Sequence, residues 1–423
     1  RCLQAALPSY PGCVVDLAEG HQPVRIWRDP ERWRQEREQQ FPGSERFWQL
    51  CQRLHASNWA FAARRPVLPP RNGWDLNQLL GAIGPGNVLS GLLTAATVAD
   101  LLRLCGCSGP RHQRLRRFLD LQLKLYSQEP ADRTAALYGV TVLAMVQEPL
   151  GLWHLHGSMQ ALSNSLERAL HQAGGELRLR HRVETLQASN DGWHVQGIGP
   201  KGQSFSIGAT DVVCSLPPQS LPNLLGDQMP TGLQRRVEGL GDPSGALVLY
   251  GAVARDALPA DCPSHLQLDW QQPGSLFISI SQEGDGRAPA GQATVIASVF
   301  TSAKCWFELE PAAYTTAKAE AQQGIEAGLK QLLGLQDSHW LHRELATPRG
   351  FARWTGRPFG FVGGIGQAPD RFGPFGLASR SPLAGLWLCG DAIYPGEGTA
   401  GVSLSAEMAV RQLLAQRNEG RTA

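Results

Sequence analysis

The chain of 423 residues lacks an excess of either charge: 39 Lys and Arg stand against 37 Asp and Glu, a net +2 that no segment collects. That excludes the electrostatic footprint of a nucleic-acid binder. Charged residues are only 18% of the chain, below the roughly 25% usual for soluble domains. With 42% hydrophobic residues, the chain is too apolar to be disordered. The nine cysteines, at 2, 13, 51, 105, 107, 214, 262, 305 and 389, include no C-x-x-C. Only Cys105 and Cys107 are close, so a zinc knuckle or thioredoxin motif is excluded and no metal centre is expected. Their odd number and scatter indicate reduced thiols in a cytosolic compartment. Residues 1–30 lack the charged start and apolar core of a secretory signal. No G-x-G-x-x-G occurs, since Gly84-Pro-Gly86 and Gly364-Ile-Gly366 lack the third glycine and the strand-to-helix context. Position 1 is Arg, not Met.

An unbroken apolar span is missing too. Residues 79–99 carry no charge but are interrupted by Gly81, Gly84, Pro85, Gly86, Asn87, Ser90 and Gly91, which a spanning helix would not tolerate. Two readings remain open: helices buried against the rest of the protein, or a segment dipping into one leaflet.

What is present is glycine and proline, 47 and 29 residues, in a length that about 150 residues per domain divides into two or three domains. Aromatic and charged residues alternate over 27–65, with Trp33, Phe41, Phe47, Trp48 and Leu54 at helical spacing. In 113–126, Leu115, Phe118, Leu119 and Leu123 share a face opposite Arg114, Arg117 and Lys124. That segment is either a core helix with a solvated basic side or a basic helix on an anionic membrane. Met159, Leu162, Leu166, Ala169, Leu170 and Ala173 form a helical stripe ended by Gly174-Gly175, and residues 176–186 then alternate as a strand. Residues 193–198 and 203–207 predict two short antiparallel strands. The apolar run 211–216 into Pro217-Pro218 predicts a strand buried on both faces. Runs at 246–253, 276–280 and 294–300 predict an antiparallel sheet, and 312–335 a helix.

The segment 386–409, LWLCGDAIYPGEGTAGVSLSAEMA, carries most of the chemistry. A buried strand delivers Gly390-Asp391 at its carboxyl end, where α/β sheets bind ligands. Gly396, Gly398 and Gly401 permit close backbone approach to a flat ligand, and a helix is expected from Gly401-Val402-Ser403 with its positive dipole end free. Such an end stabilises the negative charge that develops on a reduced flavin.

This segment resembles the C-terminal flavin motif of the FAD-dependent carotenoid desaturase and isomerase family, the amine-oxidase-like flavoproteins. Residues 151–166 (GLWHLHGSMQALSNSL) resemble the family's Gly-Met loop and helix beside the flavin, implying contacts from Gly157 and Met159. Residues 176–186 resemble the strand whose Val, here Val183, meets the adenine, and 211–218 the strand leading Ser215 and Leu216 to the pyrophosphate. Residues 347–364 (TPRGFARWTGRPFGFVGG) resemble a segment shared by carotenoid isomerases and terminal desaturases, with Gly350 where relatives usually have Thr. Within the family, 118–139 and the start of the chain are similar to the cyanobacterial-type carotenoid 3',4'-desaturases. The family opens with a Rossmann βαβ unit; the absent fingerprint and Arg1 lead to the expectation that this unit is missing and the pyrophosphate site incomplete.

The resemblance implies an α/β (α+β mixed) fold: a Rossmann-like FAD domain lacking its first βαβ unit, with an antiparallel-sheet and helical substrate domain. The expected parts are a mainly helical substrate and membrane-facing part at 1–150, FAD-binding segments at 151–225 and 381–423, and an antiparallel-sheet substrate domain at 226–380. FAD contacts are expected from Gly157, Met159, Val183, Ser215, Leu216, Gly390, Asp391, Gly398, Gly401, Val402 and Ser403. The implied activity is FAD-dependent carotenoid desaturation, passing electrons to a quinone or oxygen, by a cytoplasmic protein peripheral to a membrane. A carotenoid cis-trans isomerase and a non-catalytic carotenoid or lipid binder are the alternatives. No side chain accepts a hydride, so the flavin carries the oxidation and the second hydrogen leaves as a proton. Asp75, His154 and His156 are candidates for receiving it, against the plainer roles of helix cap and hydrogen-bonded core residue. His154 and His156 flank Leu155 and are expected on one face of an extended segment.

Overall fold

The computed structural model describes residues 6–422; Cys2 lies outside them. The first part of the chain is rich in helix and also carries short strands. It contributes strands β1 (Ala6–Pro8), β2 (Cys13–Asp16) and β3 (Val24–Ile26) before helices α1 (Pro30–Gln40), α2 (Glu45–Ala63), α3 (Gly73–Ala82), α4 (Pro85–Gly91), α5 (Val98–Leu104), α6 (Gln113–Ser127) and α7 (Ala136–Leu143). Helix α1 begins where Asp29 accepts the Arg32 amide at 2.7 Å with Pro30 at its first turn, a donor otherwise left orphaned. The aromatic pattern of 27–65 folds inward. Trp33, Phe41, Phe47 and Trp48 join Leu115, Phe118, Leu119 and Leu123 of α6 in one core, with Phe41 and Phe118 5.0 Å apart.

The arginines on the basic side of α6 are held in ion pairs. Arg114 pairs with Glu19 at 2.6 Å, Arg116 with Asp120 at 2.8 Å, and Arg117 with Glu19 and Asp269. Residues 79–99 depart from the buried-helix reading. Leu76, Leu80, Ile83, Val88 and Leu92 on and after α3 and α4 are exposed, Leu92 to 80%, while Ala82 and Ser90 are buried.

The second stretch holds β4 (Trp153–Leu155), α8 (Gln160–Gln172), β5 (Arg182–Ser189), β6 (Gly192–Ile198), β7 (Ser204–Ala209), β8 (Val212–Cys214), α9 (Leu221–Leu225) and α10 (Thr231–Glu238). Strand β4 pairs with β1, and β5-β6-β7 form an antiparallel sheet. The strand expected from residue 176 begins only at Arg182, because Arg180 takes φ 59°, a left-handed turn that breaks extended pairing. Helix α8 buries no residue at all.

The third stretch comprises β9 (Gly245–Ala254), β10 (His265–Leu268), β11 (Leu276–Ile280), β12 (Gln292–Thr301), α11 (Cys305–Glu308), α12 (Pro311–Leu333), β13 (Trp340–Ala346) and α13 (Pro348–Thr355). The sheet order is β13-β9-β12-β11-β10-β2-β3, antiparallel except for β10 with β2, so two N-terminal strands complete the sheet. Alternate residues of β11 and β12 face Ile325 and Leu329 of α12 in a second core, the period-2 pattern of a sheet covered by a helix.

Strand β14 (Leu386–Leu388) and helix α14 (Gly398–Thr422) end the chain. A third core joins Leu386, Leu388 and Met408 to Cys214, Leu186, Trp193 and Leu221. The eight described cysteines are free, and among the described residues no helix is long and apolar enough to cross a membrane.

Candidate flavin site and its proton-holding neighbours

Strands β14 and β8 run parallel, Leu388 beside Cys214, with the Cys389 amide donating to the Cys214 carbonyl at 3.0 Å. Their carboxyl ends therefore deliver Gly390-Asp391 and Ser215-Leu216 side by side, as sheet-end ligand sites require. Strand β8 is not buried on both faces as its apolar run suggested: Val213 is exposed, since among the described residues β14 is its sole sheet partner. Ser405, buried two turns into α14, accepts the Gly390 amide at 2.9 Å and fixes the helix against the strand end.

Helix α14 starts at Gly398, three residues before the expected Gly401. Gly398 (φ 85°) opens the helix with nothing within 4 Å of where a Cβ would stand, while a Cβ at Gly401 would meet the Gly396 carbonyl oxygen at 2.4 Å. Gly398 thus leaves open surface at the helix's positive end, and Gly401 lets the turn fold tightly behind it. Ser403 is exposed and Val402 partly so. Gly390 thus stands beside Ser215, whose carbonyl oxygen lies 3.4 Å from where its Cβ would be, and Gly398, Val402 and Ser403 lie on the first turns of α14.

Residues 90–414 match the family described as flavin containing amine oxidoreductase. The chain belongs to this family. Two chloroplastic prolycopene isomerases are similar in sequence. That of Arabidopsis thaliana is 24% identical over 317 residues, 71% of this chain and 52% of that protein. That of Daucus carota is 24% identical over 273 residues, 61% and 43% of the two chains. The chain spans about half the length of the curated relatives it matches. In structure it is similar to wild-type putrescine oxidase bound to putrescine, with TM-score 0.62 and 16% identity over 98% of this chain and 83% of that one. Cyclohexylamine oxidase from Brevibacterium oxydans IH-35A gives TM-score 0.55 and 13% identity over 96% and 82%. At these identities the shared property is the fold.

A flavin containing amine oxidoreductase is an FAD-dependent oxidoreductase, and the exposed start of α14, with nothing within 4 Å of where a Cβ on Gly398 would stand, fits the cofactor. The remaining expected contacts lie on other elements. Val183 is on β5, paired with Gly197 next to a bulge. Gly157 (φ 77°) also leaves its Cβ direction open, and its amide donates to the Asp285 carbonyl at 2.8 Å, which ties the Gly157–Met159 turn to the loop after β11. Met159 is exposed.

The proton-transfer candidates separate. Asp75 is fully buried and does not cap α3; Asn72 does, accepting the Asp75 amide at 2.9 Å. The Asp75 carboxylate accepts from the Arg71 amide at 3.0 Å, Gln412 at 2.9 Å and Arg380 at 3.3 Å, so it clamps α3 to α14. His154 and His156 do not share a face, because β4 ends at Leu155 and the chain turns, leaving His156 exposed and His154 buried. His154 accepts Arg287 Nη2 on Nδ1 at 2.9 Å and stacks on His265 at 4.7 Å. Its Nε2 has no partner. Burial, then the Arg287 charge, pushes its pKa down.

A group the sequence reading passed over is Glu397, the sole charge in residues 392–406. Burial first, then the neighbouring Asp391 carboxylate, raise its pKa to about 8, so near neutral pH it holds a proton. Gln128, at φ 61° on the end of α6, donates Nε2 to Glu397 Oε1 at 2.6 Å while its own Oε1 accepts the Ser244 amide at 3.1 Å. Arg357 donates to Asp391 at 2.8 Å. A Cβ on Gly363 would stand 2.3 Å from Gln128 Nε2, and one on Gly364 2.2 Å from the Asp391 carbonyl oxygen. The segment resembling carotenoid enzymes is therefore pressed against the flavin segment.

Proposed function

We propose that this flavoprotein desaturates a carbon–carbon bond of a carotenoid, with 3',4'-desaturation as the reaction. The observation that carries the reading is the packing just described. Arg357, Gly363 and Gly364, from the stretch that resembles carotenoid isomerases and terminal desaturases, touch Asp391 and Glu397 of the flavin segment directly. The similarity to two prolycopene isomerases supports the same substrate class.

FAD when bound supplies the two-electron acceptor. The chain's own residues do the rest. The start of α14 and the Gly390 strand end orient the cofactor, and Arg357 neutralises Asp391 so that one unpaired carboxylate fewer faces the site. Glu397, protonated near neutral pH and held by Gln128, can donate a proton but not receive one, so the proton lost by the substrate passes to water. The exposed Leu80, Val88 and Leu92 give the face by which the protein rests on a membrane and meets a bilayer-dissolved polyene. Reoxidation by a quinone or oxygen completes the cycle.

Carotenoid isomerisation is the second reading, favoured by the names of the similar proteins. The test is incubation of the FAD-loaded protein with a carotenoid in liposomes and a soluble quinone, read by product mass. Loss of two hydrogens supports desaturation; an unchanged mass with a shifted absorption maximum, sought also with the flavin reduced and no quinone, supports isomerisation; an unchanged carotenoid under both conditions rejects both.

A further inference from the structure

A cavity of about 220 Å³ lies away from the flavin corner, between α1, α2, the end of α7 and the loop at 147–150. Its lining follows from helical spacing. Trp33 and Arg37 stand one turn apart on α1, and Trp48, Cys51 and His55 repeat along one face of α2. Leu143, Pro149 and Leu150 close the apolar side. The volume falls below the roughly 300–1,000 Å³ of drug-sized sites, so the occupant it fits is fragment-sized.

Arg37 sets the chemistry. The residue is 2% exposed, and its Nε is buried without a hydrogen-bond partner. Its ion-pair partner is Glu45 at 3.5 Å, and Glu38 adds a weaker attraction. The Trp33 and Trp48 rings flank it at 5.5 and 5.2 Å, an arrangement that holds a cation in place without spending its donors. A buried ion so sparsely compensated is costly unless an anion completes it, and a guanidinium fork matches a carboxylate. The other ionisable groups leave that role to Arg37. His55 donates Nδ1–H to the Thr141 carbonyl and burial keeps it neutral, burial keeps Cys51 a thiol, and Glu148 at the rim is taken by Arg28 at 3.1 Å.

We propose that this cavity is a second ligand site for a small organic monocarboxylate, its carboxylate on Arg37 and its apolar body against Trp33, Trp48 and Leu143. Calorimetric titration with sodium benzoate and with benzyl alcohol, on the wild type, Arg37→Met and Ala144→Phe, tests it. Benzoate is expected to bind the wild type roughly ten- to a hundredfold more tightly than the alcohol, as a charge-assisted pair requires. Arg37→Met is expected to erase that preference, and Ala144→Phe, which fills the cavity from its wall, to abolish binding. Should Arg37→Met not fold, the wild type and Ala144→Phe decide. No benzoate binding, equal binding of the alcohol, or unchanged binding to Ala144→Phe each overturns the proposal.

Discussion

Helices α6 and α8 are amphipathic to the same eye, each with an apolar stripe at helical spacing and charges opposite, and the fold treats them in opposite ways. Helix α6 buries Leu115, Phe118, Leu119, Leu121 and Leu123 in the aromatic core of the N-terminal part. Helix α8 buries nothing, and its Leu166 is 64% exposed. The stripe alone therefore announces a helix and a face but not its cover. Stability resides where three or four elements converge on one side chain, as they do on Phe118 and do not on Leu166.

That contrast is sharpest in a pair of truncations. Phe118→Ala is expected to cost about 3–5 kcal/mol, and Leu166→Ala to stay within roughly 0.5 kcal/mol, both read from urea unfolding. Equal losses would mean that α8 is covered after all. Gly364→Ala comes next. Its Cβ would stand 2.2 Å from the Asp391 carbonyl oxygen, so about 1–3 kcal/mol of overpacking strain should fall on the flavin corner. Flavin absorbance per protein is expected to drop; full flavin content would show the contact to be slack.

The titration of Glu397 has a definite sign. Its folded pKa is raised from 4.5 to about 8, so the folded state keeps a proton that the unfolded chain loses. Stability is full below pH 4.5 and falls as pH rises to about 8, by at most about 1.4 kcal/mol per pH unit. Glu397→Gln should flatten that slope in unfolding curves taken from pH 5 to 8, and an unchanged slope would place the proton elsewhere. Arg117→Ala, removing a half-exposed ion pair of α6, is expected to cost at most about 1 kcal/mol and less in high salt, which keeps the α6 contribution in its apolar face.

The legible elements were those whose pattern carries its own partner. Strand β11 fell where alternation put it, at Leu276–Ile280, because both its neighbours and α12 meet the same period. The flavin segment was legible because Gly390, Gly398 and Gly401 mark close backbone approach. Residues 176–181 misled because Leu177 and Leu179 alternate like a strand while Arg180 adopts a left-handed turn, which no alternation encodes. His154 and His156 were two apart in sequence, but a turn after Leu155 separated them. Asp75 read as a cap or a base, and its partners Arg380 and Gln412 lie 305 and 337 residues away, beyond any local rule.

By itself the sequence determined the periodicities, the glycine corner after β14 and the flavin chemistry, since these depend on backbone permissions and spacings a few residues long. Tertiary structure alone decided which carboxyl keeps a proton. Glu397 is unremarkable in its own stretch and becomes an acid near neutral pH only where the fold buries it beside the Asp391 carboxylate. Desolvation and neighbouring charge act through space over a few ångströms, and no pattern along the chain reports that distance.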